Sequence, residues 1–185
     1  MSARLRLIRH GRASAGWGSD RDPGLDVLGR AQARAVALAL GPVGPLPIVC
    51  SPMRRTRETA EPLATAWGVD VLIDPAVGEI VAPDGVEMGE RTAWLRHAVE
   101  GSWTDLGQKH DRWRSGVVDR LLALTADTVI VSHFVAINAA IGAAVGDDRV
   151  VVARLDNCSV TVIDIVDGAL RLVEIGREAA DTLIR

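Results

Sequence analysis

The 185-residue sequence has few aromatic side chains, no basic run and no long apolar stretch, and each shortage argues against a class of function. Aromatic residues make up 3% of the chain and tyrosine is absent, which leaves few side chains that could stack on nucleic-acid bases. The formal net charge is −3, so we expect no nucleic-acid partner. No apolar stretch approaches the roughly 20 residues of a membrane helix, so we expect no membrane association. The amino terminus has no secretory signal pattern, and we therefore expect a cytoplasmic protein.

Cysteine is also scarce. The two cysteines, Cys50 and Cys158, lie far apart and neither belongs to a CxxC pair. Both have apolar, strand-like neighbours. This setting favours two buried free thiols over a disulfide or a metal site.

The remaining composition is that of a globular protein with a substantial core. Hydrophobic residues make up 48% of the chain and charged residues 24%, which excludes a disordered chain. The length suits one domain. We therefore expect a single domain over residues 1–185, in which residues 80–125 form a helical, lid-like insertion.

Short apolar strands alternate with helical patterns along the chain. Strands are predicted at 5–9, 47–50, 69–73 and 128–132, and helices at 27–40, 51–67, 90–100, 109–126 and 134–145. Asp26 is predicted to cap the first helix and Ser51 the second. This alternation predicts a three-layer α/β/α sandwich around a mostly parallel sheet. The Asp167-Gly168 pair predicts a hairpin that adds an antiparallel edge strand.

Three predicted strand ends carry polar residues at the same edge of the sheet, where ligands bind in open α/β folds. The segments are 9–11, 51–57 and 132–133. They bring two histidines and at least two arginines together. Arginine's planar fork pairs with phosphate oxygens, and a neutral imidazole can attack phosphorus when its other nitrogen is held as a donor. The pattern therefore indicates phosphoryl transfer.

Such chemistry also needs a proton for the leaving oxygen and later a base for water. A carboxyl group in the loop 74–90 could supply both. From the residues alone, Glu79 and Glu87 are equal candidates.

At this point the sequence resembles the histidine phosphatase superfamily, whose fold is phosphoglycerate mutase-like. The resemblance runs from Leu5 to about Ile163 and depends on five elements in order. These are Leu7-Ile8-Arg9-His10-Gly11 (the RHG signature), the Leu25–Ala33 helix start, the Ser51–Ala60 segment, Val131-Ser132-His133 and Asn157-Cys158-Ser159-Val160.

The resemblance implies a role for each matching residue. His10 matches the nucleophile that becomes phosphohistidine, and Arg9 and Arg55 match the arginines of the phosphate pocket. His133 matches the second histidine, which donates to the phosphoryl oxygens, and Glu79 matches the acid/base carboxylate. The resemblance also implies that the enzyme needs no metal or other cofactor.

The chain departs from the family pattern at three positions near the site. Phe134 stands where glycine is common, Asn138 where arginine is frequent, and Gly16 where many members have asparagine. The core residues are unaffected by these changes. Because the changes lie near the site, however, the family's usual sugar-phosphate substrates are not carried over to this chain.

The sequence thus predicts a phosphatase that acts on a small phosphorylated metabolite or a phosphoprotein. One alternative is a mutase that transfers the phosphoryl group between substrate hydroxyls. The other is a binding module that keeps the pocket but does not turn over, which would be the case if Glu79 pointed away from His10. Arg12 could contact phosphate or face water.

Several further polar residues are interpreted structurally. His97 and His110 are predicted on helix surfaces, and Asn157 in a turn. Arg54 and Arg57 are predicted to lie on a solvated helix face rather than to bind a ligand. The tryptophans Trp94, Trp103 and Trp113 are predicted to pack the lid-like segment rather than to face substrate.

Overall fold

A computed structural model describes residues 2–16 and 18–179 of the chain. They form a six-stranded sheet of order β3-β2-β4-β1-β5-β6. The strands are β1 (Ser2–Arg9), β2 (Ile48–Cys50), β3 (Val71–Ile73), β4 (Thr128–Ser132), β5 (Val160–Val166) and β6 (Ala169–Glu174). Strands β3, β2, β4 and β1 run parallel, whereas β5 and β6 are antiparallel at one edge. The predicted three-layer fold, the mostly parallel sheet and the hairpin at 167–168 are confirmed.

The described residues also form six α-helices. They are α1 (Val27–Leu40), α2 (Arg54–Trp67), α3 (Arg91–Ala98), α4 (Trp103–Leu106), α5 (Gln108–Leu122) and α6 (Phe134–Val145). Short 3-10 turns lie at Gly41–Val43, Pro75–Val77 and Met88–Glu90. None of the helices in the described part of the chain is long and apolar enough to cross a membrane.

The alternation of side chains along the strands separates two hydrophobic cores. Ile8 and Val129 face one cluster with α1 and α2, whereas Leu7 and Ile130 face the other with α5 and α6. Every residue of β4 is buried, as expected for a strand in the middle of a sheet with helices on both faces. The polar carboxyl ends of the strands are thereby held against a rigid centre.

The predicted cap of α1 and the glycines that end α2 and α6 agree with the structure, whereas the predicted start of α2 does not. Asp26 caps α1 by accepting a hydrogen bond from the Gly29 amide at 2.7 Å. Gly68 and Gly146 end α2 and α6 in the left-handed conformation, with φ of 65° and 70°. The predicted cap at Ser51 is wrong, because its hydroxyl lies 2.8 Å from Nε2 of His133, which follows β4, and α2 begins three residues after Ser51.

Residues 80–125 contain three helices where the sequence predicted two, and α3 and α5 are shorter than predicted. Trp103 is fully buried and its ring stacks on Trp113 at 5.7 Å between centroids, so the packing interpretation of this pair is confirmed. His97 is exposed as predicted.

Two other predictions are wrong. His110 is 5% exposed rather than on the surface, because its ring nitrogens lie 3.2 and 3.0 Å from the carbonyl oxygens of Leu106 and Val81. Cys158 is only partly buried and lies in a turn, not a strand, with φ of 54°. Cys50 is a buried free thiol, as expected, and burial raises its pKa to about 11.

Candidate active site

The nucleophile candidate His10 directly follows β1 at the carboxyl edge of the sheet. Its amide donates to the Ser132 carbonyl at 3.0 Å, which continues the β1–β4 ladder by one residue. Its carbonyl accepts a hydrogen bond from Asn157 Nδ2 at 2.9 Å. Asn157 is a turn residue, as predicted, but this bond also makes it a support of His10. The sequence signal for that support was its place in the last of the five family-like elements.

The ring of His10 is held in one tautomer. Its Nδ1 lies 2.8 Å from the Gly11 carbonyl oxygen, which can only accept, so Nδ1 carries the hydrogen. The lone pair is then on Nε2, where Arg55 Nε donates to it at 3.2 Å. Burial lowers the pKa of His10 well below its usual value, and the charges of Arg55 and Arg9 lower it further. A neutral imidazole with its lone pair facing the guanidinium is suited to attack an anion bound there.

Close packing of the loop after β1 depends on two glycines. A Cβ at Gly11 would lie 2.7 Å from the Gly29 carbonyl oxygen, and a Cβ at Gly29 would overlap the Arg12 carbonyl oxygen. The Gly11 amide also donates to Thr59 Oγ1 at 3.0 Å. These contacts fix the backbone that positions the His10 ring.

Arg55 lies in the first turn of α2 and is the centre of the cluster. Its side chain is 4% exposed, and Nη2 lies 3.1 Å from His133 Nδ1 and 3.7 Å from Glu79 Oε2. Burial lowers its pKa from the ordinary value. The neighbouring Arg54 and Arg57 are exposed, and Arg54 pairs with Glu58, so the predicted solvated face is confirmed.

Arg9 is the second guanidinium of the cluster. Its Nη1 donates to the Leu155 carbonyl at 2.5 Å, and its Cζ lies 4.9 Å from the centre of the Phe134 ring. Its buried Nε has no hydrogen-bond partner among the described residues. A buried donor without an acceptor costs free energy, and an anionic ligand beside it would remove that cost.

His133 and Glu79 complete the cluster. His133 is fully buried, its ring centroid lies 5.3 Å from that of His10, and its Nε2 lies 2.8 Å from Ser51 Oγ. Glu79 follows the turn Pro75–Val77 and places Oε2 3.4 Å from His133 Nδ1. Burial raises the pKa of this carboxyl group, although Arg55 opposes the shift. The same burial lowers the pKa of His133 well below its usual value.

The five residues named for the site are therefore together: Arg9, His10, Arg55 and Glu79 line one cavity of about 260 Å³, and His133 lies directly behind it. The other carboxylate candidate, Glu87, is exposed and lies at the start of the turn Met88–Glu90, where it accepts from that turn's backbone.

Arg12 also lines the cavity, but its Nε is paired with Asp26 at 2.5 Å.

Three of these side chains could in principle ligate a metal ion, since donor atoms of His10, Glu79 and His133 lie within 4.8 Å of one another. The donor set does not fit a cation well. Arg55 already donates toward both imidazoles, and a divalent ion would lie between the guanidinium groups of Arg55 and Arg9. The arrangement suits an anion such as a phosphoryl group.

A buried pair of imidazoles, two guanidinium groups and one carboxyl group define a phosphoryl-transfer site on a three-layer α/β fold. The family assignment agrees. The family model described as "Histidine phosphatase superfamily (branch 1)" matches residues 5–178, and the chain therefore belongs to this superfamily. The family predicted from the sequence is confirmed.

Named relatives cover most of the chain. The protein called "Probable phosphoglycerate mutase GpmB" from Escherichia fergusonii is 28% identical to this chain, and the match covers 85% of this chain and 83% of that protein. The structure of a mycobacterial glucosyl-3-phosphoglycerate phosphatase is 25% identical, covers 97% of this chain and 100% of its own, and has a TM-score of 0.73. A phosphoserine phosphatase structure from Entamoeba histolytica has a TM-score of 0.72 at 22% identity over 93% of this chain and 95% of its own, and supports the fold.

Proposed function

We propose that this chain hydrolyses small phosphomonoesters in two steps, with His10 as the nucleophile. In the first step His10 Nε2 forms a bond to phosphorus, the bond from phosphorus to the ester oxygen breaks, and Glu79 gives its proton to the leaving oxygen. In the second step Glu79 takes a proton from water, the water oxygen bonds to phosphorus, and the P–N bond breaks. Inorganic phosphate and free His10 are the products.

The tautomer of His10 is the observation that carries this proposal. The bond from Nδ1 to the Gly11 carbonyl leaves Nε2 as the only ring nitrogen with a lone pair, and that nitrogen faces Arg55. Arg9 and Arg55 line the cavity where the phosphoryl oxygens would lie, and His133 lies behind it with Nδ1 3.1 Å from Arg55 Nη2. They would stabilise the charge that develops there during transfer.

Two alternatives from the sequence are less well supported. A binding module without turnover was expected to have Glu79 turned away from His10, whereas a carboxylate oxygen of Glu79 lies within 4.8 Å of a ring nitrogen of His10. A mutase must hold a second phosphate, and the names of some relatives favour such an activity. Beyond Arg9 and Arg55, however, the remaining arginine that lines the cavity among the described residues, Arg12, is already paired with a carboxylate.

The size of the cavity bears on the substrate. A volume of about 260 Å³ is small beside the roughly 300–1,000 Å³ of pockets for drug-sized ligands, which favours a small metabolite over a phosphoprotein. Leu95 of α3 lines this cavity, and this supports the proposal that residues 80–125 act as its lid. The cytoplasmic location stays a prediction.

The proposal is tested with His10→Ala on p-nitrophenyl phosphate, with His97→Ala as the matched control because His97 is an exposed histidine. We expect His10→Ala to remove activity and His97→Ala to keep it. Rapid acid quench after mixing wild type with substrate labelled in its phosphate should trap an acid-labile phosphoenzyme. Equal rates for wild type and His10→Ala would refute the proposal, and turnover without any trapped label would indicate direct attack by water.

A further inference from the structure

Among the described residues, the cavity lining has no unpaired cationic side chain other than the arginines assigned to the phosphate. Of its charged lining residues in the described part of the chain, Arg12 is paired with Asp26, and Asp156 adds a negative charge. Asp156 is itself paired with the exposed Arg177 at 2.8 Å. A carboxylate or second phosphate on the substrate would therefore meet a carboxylate, Asp156, and no unpaired cation among these lining residues.

Apolar side chains make up much of the remaining lining, which we call the wall. Its apolar members include Ala15, Pro23, Leu28, Leu95, Phe134 and Val135. Phe134 and Leu95 are each 6% exposed, so the little surface they keep is presented to the cavity. The Phe134 ring also covers the Arg9 guanidinium, which separates the cation from whatever lies against the wall.

Charge and polarity together select among phosphomonoesters. Moving a charged group out of water without a partner costs more than burying an apolar group, which gains free energy in proportion to its area. We infer that the preferred substrates are phosphomonoesters of uncharged, largely apolar alcohols or phenols, and that esters carrying a second anionic group are disfavoured. This inference rests on the proposed phosphatase activity at His10 and adds the class of leaving group.

The test uses two esters that differ by one carboxylate group, phenyl phosphate and 4-carboxyphenyl phosphate. Purified protein should show a kcat/KM about tenfold or more higher for phenyl phosphate, because like charges brought together in a binding site are strongly disfavoured. A ratio of one, or a preference for the carboxylated ester, would overturn the inference and would point to Arg12 as a cation available to substrate.

Charge variants of the wall give a second readout. Leu28→Lys places a cation in the wall and Asp156→Asn removes an anion, so each should shift the ratio of kcat/KM values several-fold toward 4-carboxyphenyl phosphate. Leu38→Lys is the matched control, because Leu38 is on the same helix, is 81% exposed and lies outside the cavity lining. A shift with Leu38→Lys equal to that with Leu28→Lys would contradict a local effect of the wall.

Failure of the inference and failure of the proposed function are distinguishable. If wild type hydrolyses both esters equally well, the phosphatase activity stands and the inference is overturned. If wild type hydrolyses neither ester, the proposed function fails. Calorimetric binding of phenylphosphonate and 4-carboxyphenylphosphonate, which cannot be hydrolysed, then tests the wall alone: tighter binding of phenylphosphonate supports the selection and equal binding refutes it.

Discussion

Replacing Glu79 by glutamine separates the two steps of the proposed mechanism. The side chain of Glu79 is 11% exposed and its Oε2 lies 3.4 Å from His133 Nδ1. Burial raises the pKa of the carboxyl group, which favours the protonated form that can give its proton to the leaving oxygen. Glutamine preserves the shape of the side chain but can neither give up that proton nor accept one from water.

The size of the effect depends on the leaving group. An alkoxide needs a proton in order to leave, so general acid catalysis contributes roughly 10²–10⁴-fold in rate, or about 3–5 kcal/mol. We expect Glu79→Gln to lose a factor in this range with an alkyl phosphate. p-Nitrophenolate is stable without a proton, so phosphorylation of His10 by p-nitrophenyl phosphate should be much less affected.

The second step still needs a base, whatever the ester. With p-nitrophenyl phosphate, Glu79→Gln should therefore release about one equivalent of p-nitrophenolate per active site in a burst and then turn over slowly. Stopped-flow absorbance measures the burst, and acid quench should show phosphoenzyme accumulating on His10.

Two controls make this experiment specific. Glu87→Gln changes the other carboxylate of the sequence analysis, which is exposed, and should leave the rates with both esters unchanged. Asp156→Asn changes the other carboxylate of the cavity lining. An equal loss with alkyl and p-nitrophenyl esters and no burst would refute the role of Glu79, and the burst pattern in Asp156→Asn would transfer the role to Asp156.

Three further predictions concern pH and packing. Since burial and Arg55 lower the pKa of His10, the acid limb of the pH profile of kcat/KM should lie below about pH 6.5. Since burial raises the pKa of Glu79, the alkaline limb should lie above about pH 4.3. Profiles corrected for substrate ionisation would show both limbs, and Glu79→Gln should lose the alkaline one. Gly29→Ala forces a Cβ into a backbone carbonyl and should lower the free energy of unfolding by about 1–3 kcal/mol in urea titrations. Gly116 is also inside a helix but has open space around it, so Gly116→Ala should raise the free energy of unfolding by about 0.5–1 kcal/mol. Asn138→Leu leaves four buried backbone groups without their partner and should cost about 2 kcal/mol or more, measured the same way; an unchanged midpoint would contradict this.

The residues at strand ends could be located from the sequence because their positions follow from local pattern. An apolar run that ends in Arg9-His10 or Ser132-His133 predicts both a strand and the edge at which it ends. Parallel pairing of β1 with β4 then brings the two histidines close together.

The carboxylate could not be fixed in this way. Glu79 lies in a loop without periodicity, and its place depends on a tertiary contact in which Ser132 Oγ donates to the Val77 carbonyl at 2.7 Å. Composition alone therefore left Glu79 and Glu87 equal. Only the resemblance separated them.

Ser51 and His110 show a second reason for error. Serine is a residue type that favours helix caps, and His110 has polar sequence neighbours. Each side chain nevertheless forms a hydrogen bond with a distant group, Ser51 with His133 and His110 with the Val81 carbonyl. Such contacts join residues 29 to 82 positions apart and leave no signature in a local window. Local propensity yields to them because an unpartnered buried polar group costs more than a lost cap.

Burial shifts the pKa values of the ionisable groups of this site in opposite directions, and the result suits the substrate. It disfavours the charged form of every group, so the pKa of His10 falls, that of Glu79 rises, and both tend to be neutral. The guanidinium groups of Arg9 and Arg55 remain charged because their ordinary pKa is so high. Two positive charges then face the position of a phosphoryl dianion, and the pKa shifts of His10 and Glu79 both favour the neutral forms that the first step requires.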